Sequence, residues 1–570
     1  MCNIHESMNT CFTPGARWHD SAGQPIQAHG GALLRHDGAW YWYGEDKTAH
    51  VNAKVTTVTG VSCYRSTDLL NWDNLGLCLT ADADPASPLH RTKIVERPKV
   101  LYNAATGKFV MWMHLDEPGY TFSRAGIAVA DCPAGPFTLV RVQRSFSHDY
   151  GYPEHDPRNQ RAQGNAFLDM NLFLDDDGQA YVFHVSENLA TLYVARLTPD
   201  FTDVVRPAQL GVTWNRVLVN RLREAPAPFK HDGQYFMFSS GCTGWHPNHT
   251  LLACAPHPLG PWEILGDPFT GPGAITSHRS QPTAVFAMPG APAGAFVFMA
   301  DRWYPQELRD TRHIWLPCVL RDGTTTLDFR RQWDAAIFTI KPVPAVPTLR
   351  GALHDTTSVF TPAAVRLAWN AVPGADGYRV YADGVPAGFT DETLLELPLP
   401  LPGVPQRYTV RAEALAAGQS SDSNGVSLCV GQPRRCHLSD HAPVRAFTGF
   451  GEIVRDRAWD GEALRLGQQD YAKGLLAHID SDILYLSGGV YAHFSAMIGL
   501  HAHRPGGQAY FAVEADGQEI YTSKLLCAGD APVAIDLPIA GVRRLRLRAW
   551  NPATIGNGHA VWADAVIAPA

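Results

Sequence analysis

The sequence predicts an all-β chain: a five-bladed β-propeller followed by two β-sandwiches. The first observation behind this is a pattern that recurs five times. It is clearest at Arg223-Glu224-Ala225-Pro226-Ala227-Pro228-Phe229-Lys230-His231-Asp232-Gly233-Gln234-Tyr235-Phe236-Met237-Phe238. A polar residue opens it, an apolar run follows, Asp-Gly marks a tight hairpin turn, and an aromatic strand returns. The second observation is that no long segment sustains apolar residues at i, i+3 and i+4, the helical period. The third is composition. Fifty Gly and 42 Pro in 570 residues imply many turns and little continuous helix, and 15 Trp suit stacked sheets.

Taken in order, His29 leads to Gly38 and then Ala39-Trp40-Tyr41-Trp42-Tyr43. Glu96 leads to Gly107 and Lys108-Phe109-Val110-Met111-Trp112, and Asp169 leads to Gly178 and Gln179-Ala180-Tyr181-Val182-Phe183. Glu224 leads to Gly233, and Gln281 leads to Gly294 and Ala295-Phe296-Val297-Phe298. These lead residues stand 67, 73, 55 and 57 positions apart. Five units of that size, each a hairpin and more, read as five blades. If each lead residue begins the innermost strand of its blade, all five face one axial funnel.

The propeller is expected over residues 1–345. Lys341-Pro342-Val343-Pro344-Ala345-Val346-Pro347 then reads as an extended linker. Beyond it, Val365-Arg366-Leu367-Ala368-Trp369, Gly377-Tyr378-Arg379-Val380-Tyr381 and Arg407-Tyr408-Thr409-Val410-Arg411-Ala412 alternate with period two. A Trp on one such strand and a Tyr opening a late one are marks of a fibronectin-III-like sandwich, here 346–431. Residues 432–570 form the last domain. Its Arg544-Leu545-Arg546-Leu547-Arg548-Ala549-Trp550 has one wet and one buried face, which suits a jelly roll.

A net charge of −8 with both signs mixed and no basic stripe excludes a nucleic-acid binder as the default. No apolar run approaches the length of a membrane span. Eleven cysteines without CxxC spacing, among them Cys63, Cys254 and Cys318 in strand-like context, read as buried free thiols. Met1–Met8 shows neither a basic n-region nor an apolar h-region, so no signal peptide is expected in this stretch.

Several motifs together resemble glycoside hydrolase family 43. They are Ile26-Gln27-Ala28-His29-Gly30-Gly31, Tyr41-Trp42-Tyr43-Gly44-Glu45-Asp46-Lys47, Val95-Glu96-Arg97-Pro98-Lys99-Val100, Ser186-Glu187-Asn188, Arg223-Glu224-Ala225-Pro226 and Asp301-Arg302-Trp303. The resemblance covers residues 18–340 and is narrowest toward the branch of exo-β-1,3-galactanases. Tyr471-Ala472-Lys473-Gly474-Leu475-Leu476-Ala477-His478 and Ala560-Val561-Trp562-Ala563-Asp564-Ala565 resemble the NPCBM type of carbohydrate-binding module. The resemblance implies a galactan or arabinogalactan substrate and a secreted or periplasmic setting.

The residues support that chemistry directly. An inverting glycosidase needs an acid for the leaving oxygen and a base for water, about 6.5–9.5 Å apart. Glu224, among prolines and an apolar wall, would keep a proton near neutral pH and is the expected acid. Asp169 would raise that proton affinity by its charge, the task that the resemblance gives the matching aspartate. By the resemblance, a base aspartate would open the first blade, and His29 takes its place here. Three candidates remain for the base: Gln281 through its imidic tautomer, as the resemblance to the galactanase branch implies; Glu96, which the resemblance makes a substrate or water holder; and His29, whose unperturbed pKa suits the work. By the resemblance, Glu45, Tyr120, Asn188 and Thr243 match sugar-contacting positions. Trp245, Trp303 and Trp42 offer stacking faces, although Trp42 equally suits the core between blades.

No metal motif appears. The resemblance allows an axial calcium ion, but Asp175-Asp176-Asp177-Gly178 suits a hairpin turn better than a calcium loop. Each site residue has a plainer reading as a turn cap, ion-pair partner or satisfied core polar group. What sets the five lead residues apart is their common register. The expected function is exo-acting cleavage of β-1,3-galactan. The alternatives are an α-L-arabinofuranosidase, β-galactofuranosidase or β-xylosidase of the same fold, and a glycan-binding propeller without catalysis.

Overall fold

The computed structural model describes residues 8–50, 58–148, 156, 159, 164–354, 364–503 and 505–570. The signal-peptide reading falls largely outside the described residues, as does Cys2. The chain divides into two compact units, Met1–Pro268 with Arg279–Ala336, and Phe269–His278 with Ile337–Ala570. The described secondary structure is strands with short 3₁₀ turns.

The first unit holds five antiparallel meanders. His29–His36, Ala39–Glu45, Gly60–Ser66 and Asp73–Thr80 pair in that order, as do Ile94–Asn103, Lys108–Asp116, Arg124–Ala130 and Thr138–Gln143. Met170–Leu174, Ala180–Ser186, Thr191–Arg196 and Trp214–Val217 make the third sheet. The fourth is Arg223–His231, Gln234–Gly241, Thr250–Ala255 and Glu263–Gly266. The fifth has three strands, Gln281–Ala287, Ala295–Arg302 and Arg312–Val319. The first strand of each sheet packs on the first strand of the next, and the fifth returns to the first. A ring of five inner strands results.

The hairpins close as their sequences require. Asp37 and Gly38 have φ of 46° and 76°, and Asp232 and Gly233 have 49° and 74°. Two consecutive positive φ values define the two-residue turn whose twist matches the strands, and Asp-Gly tolerates them best. The Asp175-Asp176-Asp177-Gly178 run is also a hairpin connection, with positive φ at Gly178 alone (83°), and the Asp175 N–H donates to the Gln179 carbonyl at 3.0 Å. The Asp175 carboxylate is held by Lys230 at 2.5 Å and by the Tyr235 hydroxyl at 2.6 Å.

The alternation of each strand fills the spaces between sheets. Tyr43, Cys63, Phe109 and Met111 pack between the first and second sheets. Trp112, Ile127, Phe167, Val182 and Trp214 pack between the second and third, and Phe183, Val194 and Met237 between the third and fourth. Trp112 is fully buried, and its truncation to alanine would cost about 3–5 kcal/mol. The ten described cysteines are free thiols.

In the second unit, Leu349–His354, Ala364–Trp369 and Leu394–Pro398 form one sheet. It faces another built on Val385–Thr390, Gly377–Ala382 and Gln406–Ala414. Trp369, Tyr378 and Tyr408 fill the space between them. Two six-stranded sheets follow, and in Arg544–Trp550 Leu545, Leu547 and Ala549 are fully buried while the arginines are not. The second unit takes in both of the domains expected beyond residue 345. Leu484 and Leu486 of the last sheets join the same apolar cluster as Val365, Leu367 and Tyr408, so the two sandwiches share a core.

Candidate active site

Four of the five lead residues stand at a break in strand register. The shifts lie between His29 and Ala32, Glu96 and Lys99, Glu224 and Ala227, and Pro282 and Ala284. An extra residue in one strand of a hairpin bends it and re-aims its side chains. Three of the bulges pass through left-handed backbone, at Gly30 (φ 59°), Arg97 (54°) and Ala225 (52°). At Gly30 only glycine fits, since a Cβ would meet Glu45 Oε1 at 2.1 Å. Non-glycine residues in this region cost of order 1–3 kcal/mol each. At Arg97 the cost is offset by the bonds described below. The buried Lys99 ammonium donates to the Gly30 and Arg97 carbonyls and ties two bulges together. Burial, with Arg97 nearby, lowers its pKa to about 7.

The bulges surround a cavity of about 480 Å³, lined by Glu96, Asp169, Glu224 and Gln281. Glu45, Tyr120, Asn188, Trp245 and Trp303 also line it, which brings nine of the eleven predicted site residues to one wall. Trp245 meets Trp303 edge-on at 4.8 Å, and the Lys47 ammonium lies over both rings, 5.0 and 5.8 Å from their centroids.

Two carboxyls of this cavity are driven in opposite directions. Burial and the charge of Asp169 push Glu224 up to about 8, against the pull of Arg97. Its Oε1 accepts a bond from the Gln281 amide at 2.9 Å. Burial also works against the ionised form of Glu96, but His114, Lys47 and the Tyr120 hydroxyl overcome it and hold the group down at about 2. Tyr120 donates to Glu96 Oε1 at 2.9 Å, and His114 Nδ1 lies 3.2 Å from Oε2. Near neutral pH Glu224 therefore keeps its proton while Glu96 is ionised. Glu45 is raised by burial, despite Lys47 at 2.5 Å and the Arg97 N–H at 2.9 Å.

Gln281 has every amide position engaged. Its Nε2 donates to Glu224 and to Ser240 Oγ (3.2 Å), and its Oε1 accepts from Trp303 Nε1 (2.8 Å) and from Arg97 (2.5 Å). An imidic tautomer would put a proton on that oxygen, which already faces two donors. The contact with Glu224 is also direct, whereas an inverting acid and base stand about 6.5–9.5 Å apart.

His29 and Thr243 do not line the cavity. His29 is fully buried beneath it, stacked on His313 at 4.7 Å with Nδ1 3.3 Å from Asp301, and burial lowers its pKa to about 4. Thr243 turns its hydroxyl to the His246 carbonyl at 2.7 Å. Trp42 is core, packed on Trp72, Trp315 and His313.

Sequence reasoning missed Arg97, His114 and Lys47. Arg97 pairs with Asp169 at 3.0 Å as well as Gln281, and His114 bridges Glu96 and Asp116. A usable signal existed. Directly across the hairpin from His29, Glu96, Glu224 and Gln281 stand Glu45, His114, Ser240 and Asp301, all polar on buried strands.

Among the described residues, two side-chain groups bring three donors together: His29, Asp301 and His313; and Glu96, His114 and Asp169. Calcium takes 6–8 oxygen ligands. The first group offers one carboxylate between two imidazoles, with its second oxygen taken by the Gly30 N–H at 2.6 Å. In the second, the two Glu96 oxygens face Tyr120 and His114, and Asp169 Oδ2 faces Arg97. Neither donor set fits calcium.

Residues 32–270 match the family model described as glycosyl hydrolases family 43. A solved family-43 β-1,3-galactosidase, bound to galactodeoxynojirimycin, is 36% identical, and the match covers 57% of this chain and 100% of that one at a TM-score of 0.52. The chain belongs to glycoside hydrolase family 43. A second β-1,3-galactosidase of the family is 25% identical over 84% of this chain and 89% of its own (TM-score 0.52). An exo-β-1,3-galactanase from Clostridium thermocellum is 25% identical over 74% and 87% (TM-score 0.51). Outside the family-43 region, residues 434–568 match the NPCBM/NEW2 domain. A curated Renibacterium salmoninarum protein named "Putative endo-alpha-N-acetylgalactosaminidase" is 37% identical over 125 residues, which span 20% of this chain and 8% of that protein.

Proposed function

We propose that this family-43 protein is an inverting, exo-acting glycosidase that releases galactose from β-1,3-galactan. In this reading the five meanders are the blades of a propeller, followed by a fibronectin-III-like sandwich and a jelly-roll module. The observation that carries the reading is the pair of carboxyls in one cavity, Glu224 pushed up to about 8 and Glu96 held at about 2. Two carboxyls with pKa values driven apart is how one site supplies an acid and a base at the same pH. The β-1,3-galactosidases and the galactanase above support galactan over arabinofuranoside, galactofuranoside or xyloside substrates. The split in protonation favours catalysis over mere glycan binding.

Glu224 donates its proton to the glycosidic oxygen as the bond to the anomeric carbon breaks. Asp169 keeps that proton available by its charge and, with Arg97, is positioned to hold sugar hydroxyls. Glu96 takes a proton from the water that attacks the anomeric carbon from the opposite face. Gln281 holds Glu224 in place. Trp245 and Trp303 form the apolar wall against which a pyranose packs, and Glu45, Tyr120 and Asn188 bond its hydroxyls. The C-terminal NPCBM-type module tethers the enzyme to polymer, which raises effective concentration without touching the chemical step.

The test is a panel of nitrophenyl glycosides beside β-1,3-galacto-oligosaccharides, with proton NMR of the first-formed sugar. The reading predicts cleavage of the galacto-oligosaccharides with α-galactose appearing first. Initial β-galactose would mean a nucleophile at the shorter separation of about 5–5.5 Å. Turnover of arabinofuranosides alone would overturn the substrate.

A further inference from the structure

We propose that His114 is a positioning residue: clamped between Asp116 and Glu96, it keeps the Glu96 carboxylate ionised and aimed into the cavity. The proposal rests on Glu96 being the base.

His114 stands directly across the hairpin from Glu96 and is 1% exposed. Its Nδ1 lies 3.2 Å from Glu96 Oε2 and its Nε2 2.9 Å from Asp116 Oδ2. A neutral imidazole has one N–H and one acceptor nitrogen, so a carboxylate at each nitrogen is satisfied only by the imidazolium. Burial works against that charge, but the two carboxylates outweigh it and raise His114 to about 9.

The far end of the clamp is fixed. Asp116 Oδ1 accepts the Glu117 and Phe122 N–H groups at 2.8 and 2.9 Å, and Oδ2 accepts the Ser123 hydroxyl at 3.0 Å. Asp116 is thus anchored to the chain on three sides, and the ring between it and Glu96 has one orientation. Tyr120, whose ring lies 6.1 Å from the His114 ring, completes the hold on Glu96. Charged and titratable groups reach the pair from neighbouring sheets as well: Glu45 and Lys47 from the first, Asp169 and His184 from the third. Of these, Lys47 is the other cation acting on Glu96. Without the imidazolium, burial would dominate, and a buried carboxyl takes up a proton at higher pH.

The experiment measures kcat/KM against pH on a β-1,3-galacto-oligosaccharide for wild type, Glu96→Gln, His114→Gln and the double variant, with melting temperatures alongside. Glutamine keeps a donor and about the same length, which protects the fold. The expected result for His114→Gln is an acid limb raised by roughly three pH units or more, from the Glu96 value of about 2 in wild type to about 5.5. At pH 4.5 kcat falls tenfold or more, while at pH 7.5 it stays within about fivefold and KM is little changed. In the double variant, losing His114 costs less than threefold beyond Glu96→Gln, because His114 acts only through Glu96. A purely structural histidine would lower activity equally at all pH values and by the same factor in both backgrounds. That additive, pH-independent outcome would overturn the proposal while leaving the base assignment standing. Near-normal activity of Glu96→Gln would instead overturn the base assignment, and the proposal with it.

Discussion

The cavity of the family-43 unit and the outer face of the last sandwich carry the same kinds of side chain. On the sandwich, Arg546 bonds Asp482 at 2.8 Å and Glu514 at 2.9 Å, and Arg548 bonds Glu514 at 2.8 Å. The Arg546 and Arg548 side chains are 32% and 37% exposed. Partial burial works against the charge of Glu514, but hydrogen bonds from the two arginines outweigh it and depress its pKa, so Glu514 stays ionised. In the cavity, the Arg97 side chain is 5% exposed and faces Asp169, Glu45 and Glu224 together. Arg97 bonds Asp169 and Gln281, while Glu224 accepts its bond from an amide. Where water reaches the network, ion pairing adds little. Where water is kept out, unequal pairing decides which acid keeps a proton. Burial and partner asymmetry, rather than the list of acids and bases, separate a reactive site from a decorated surface.

The comparison predicts very different responses to neutralising one charge. Glu96→Gln should lower kcat on galacto-oligosaccharide by about 10²–10⁴-fold, the usual worth of general acid–base catalysis. A loss of less than tenfold would return the base role to Gln281. Gln281→Ala removes the hold on Glu224 and the bonds to Ser240, Trp303 and Arg97 but leaves both carboxyls in place, and a smaller loss of about 10–100-fold in kcat is expected. A loss matching that of Glu96→Gln would revive the imidic base.

Stability should respond in a definite direction too. The folded-state pKa of Glu224 is raised above its unfolded value near 4.5. Its contribution is therefore fully present below about pH 4.5 and is lost as pH rises through about 8. Glu224→Gln, which cannot ionise, should melt at the same temperature as wild type at pH 4. At pH 8.5 it should melt about 2 °C or more higher. A variant less stable than wild type at pH 8.5 would break the claim that Glu224 is buried at a cost. The smallest effect belongs to the sandwich: Arg546→Ala should cost about 1 kcal/mol or less and leave turnover of short substrates unchanged.

How much of this was legible in the sequence follows from the same physics. The phase of the repeat put Glu96, Asp169, Glu224 and Gln281 at one register, and all four line one cavity, because turn chemistry and strand alternation are local. The direction of His29 was not legible. The bulge at Gly30 turns the chain so that the imidazole packs under the cavity on Asp301 and His313, and both partners lie about 270 residues away or more. Thr243 lies in a loop whose path follows from its own hydrogen bond, not from strand period. Arg97 stands next to Glu96 in the chain. Its left-handed backbone sends it instead to Asp169 and Gln281 on other sheets. The shared core of the two sandwiches was hidden because Leu484 and Leu486 read as ordinary alternating residues of a single sheet.

The central claim is that Glu224 delivers a proton to the leaving oxygen, and the most direct measurement varies how much the leaving group needs one. Wild type and Glu224→Gln would be compared on β-1,3-galactobiose and on 2,4-dinitrophenyl β-galactoside, whose phenolate departs without protonation. The account predicts a loss in kcat/KM of about 10²–10⁴-fold on the disaccharide and less than about tenfold on the activated substrate. Equal losses on both would contradict it and move the acid to another residue of the cavity.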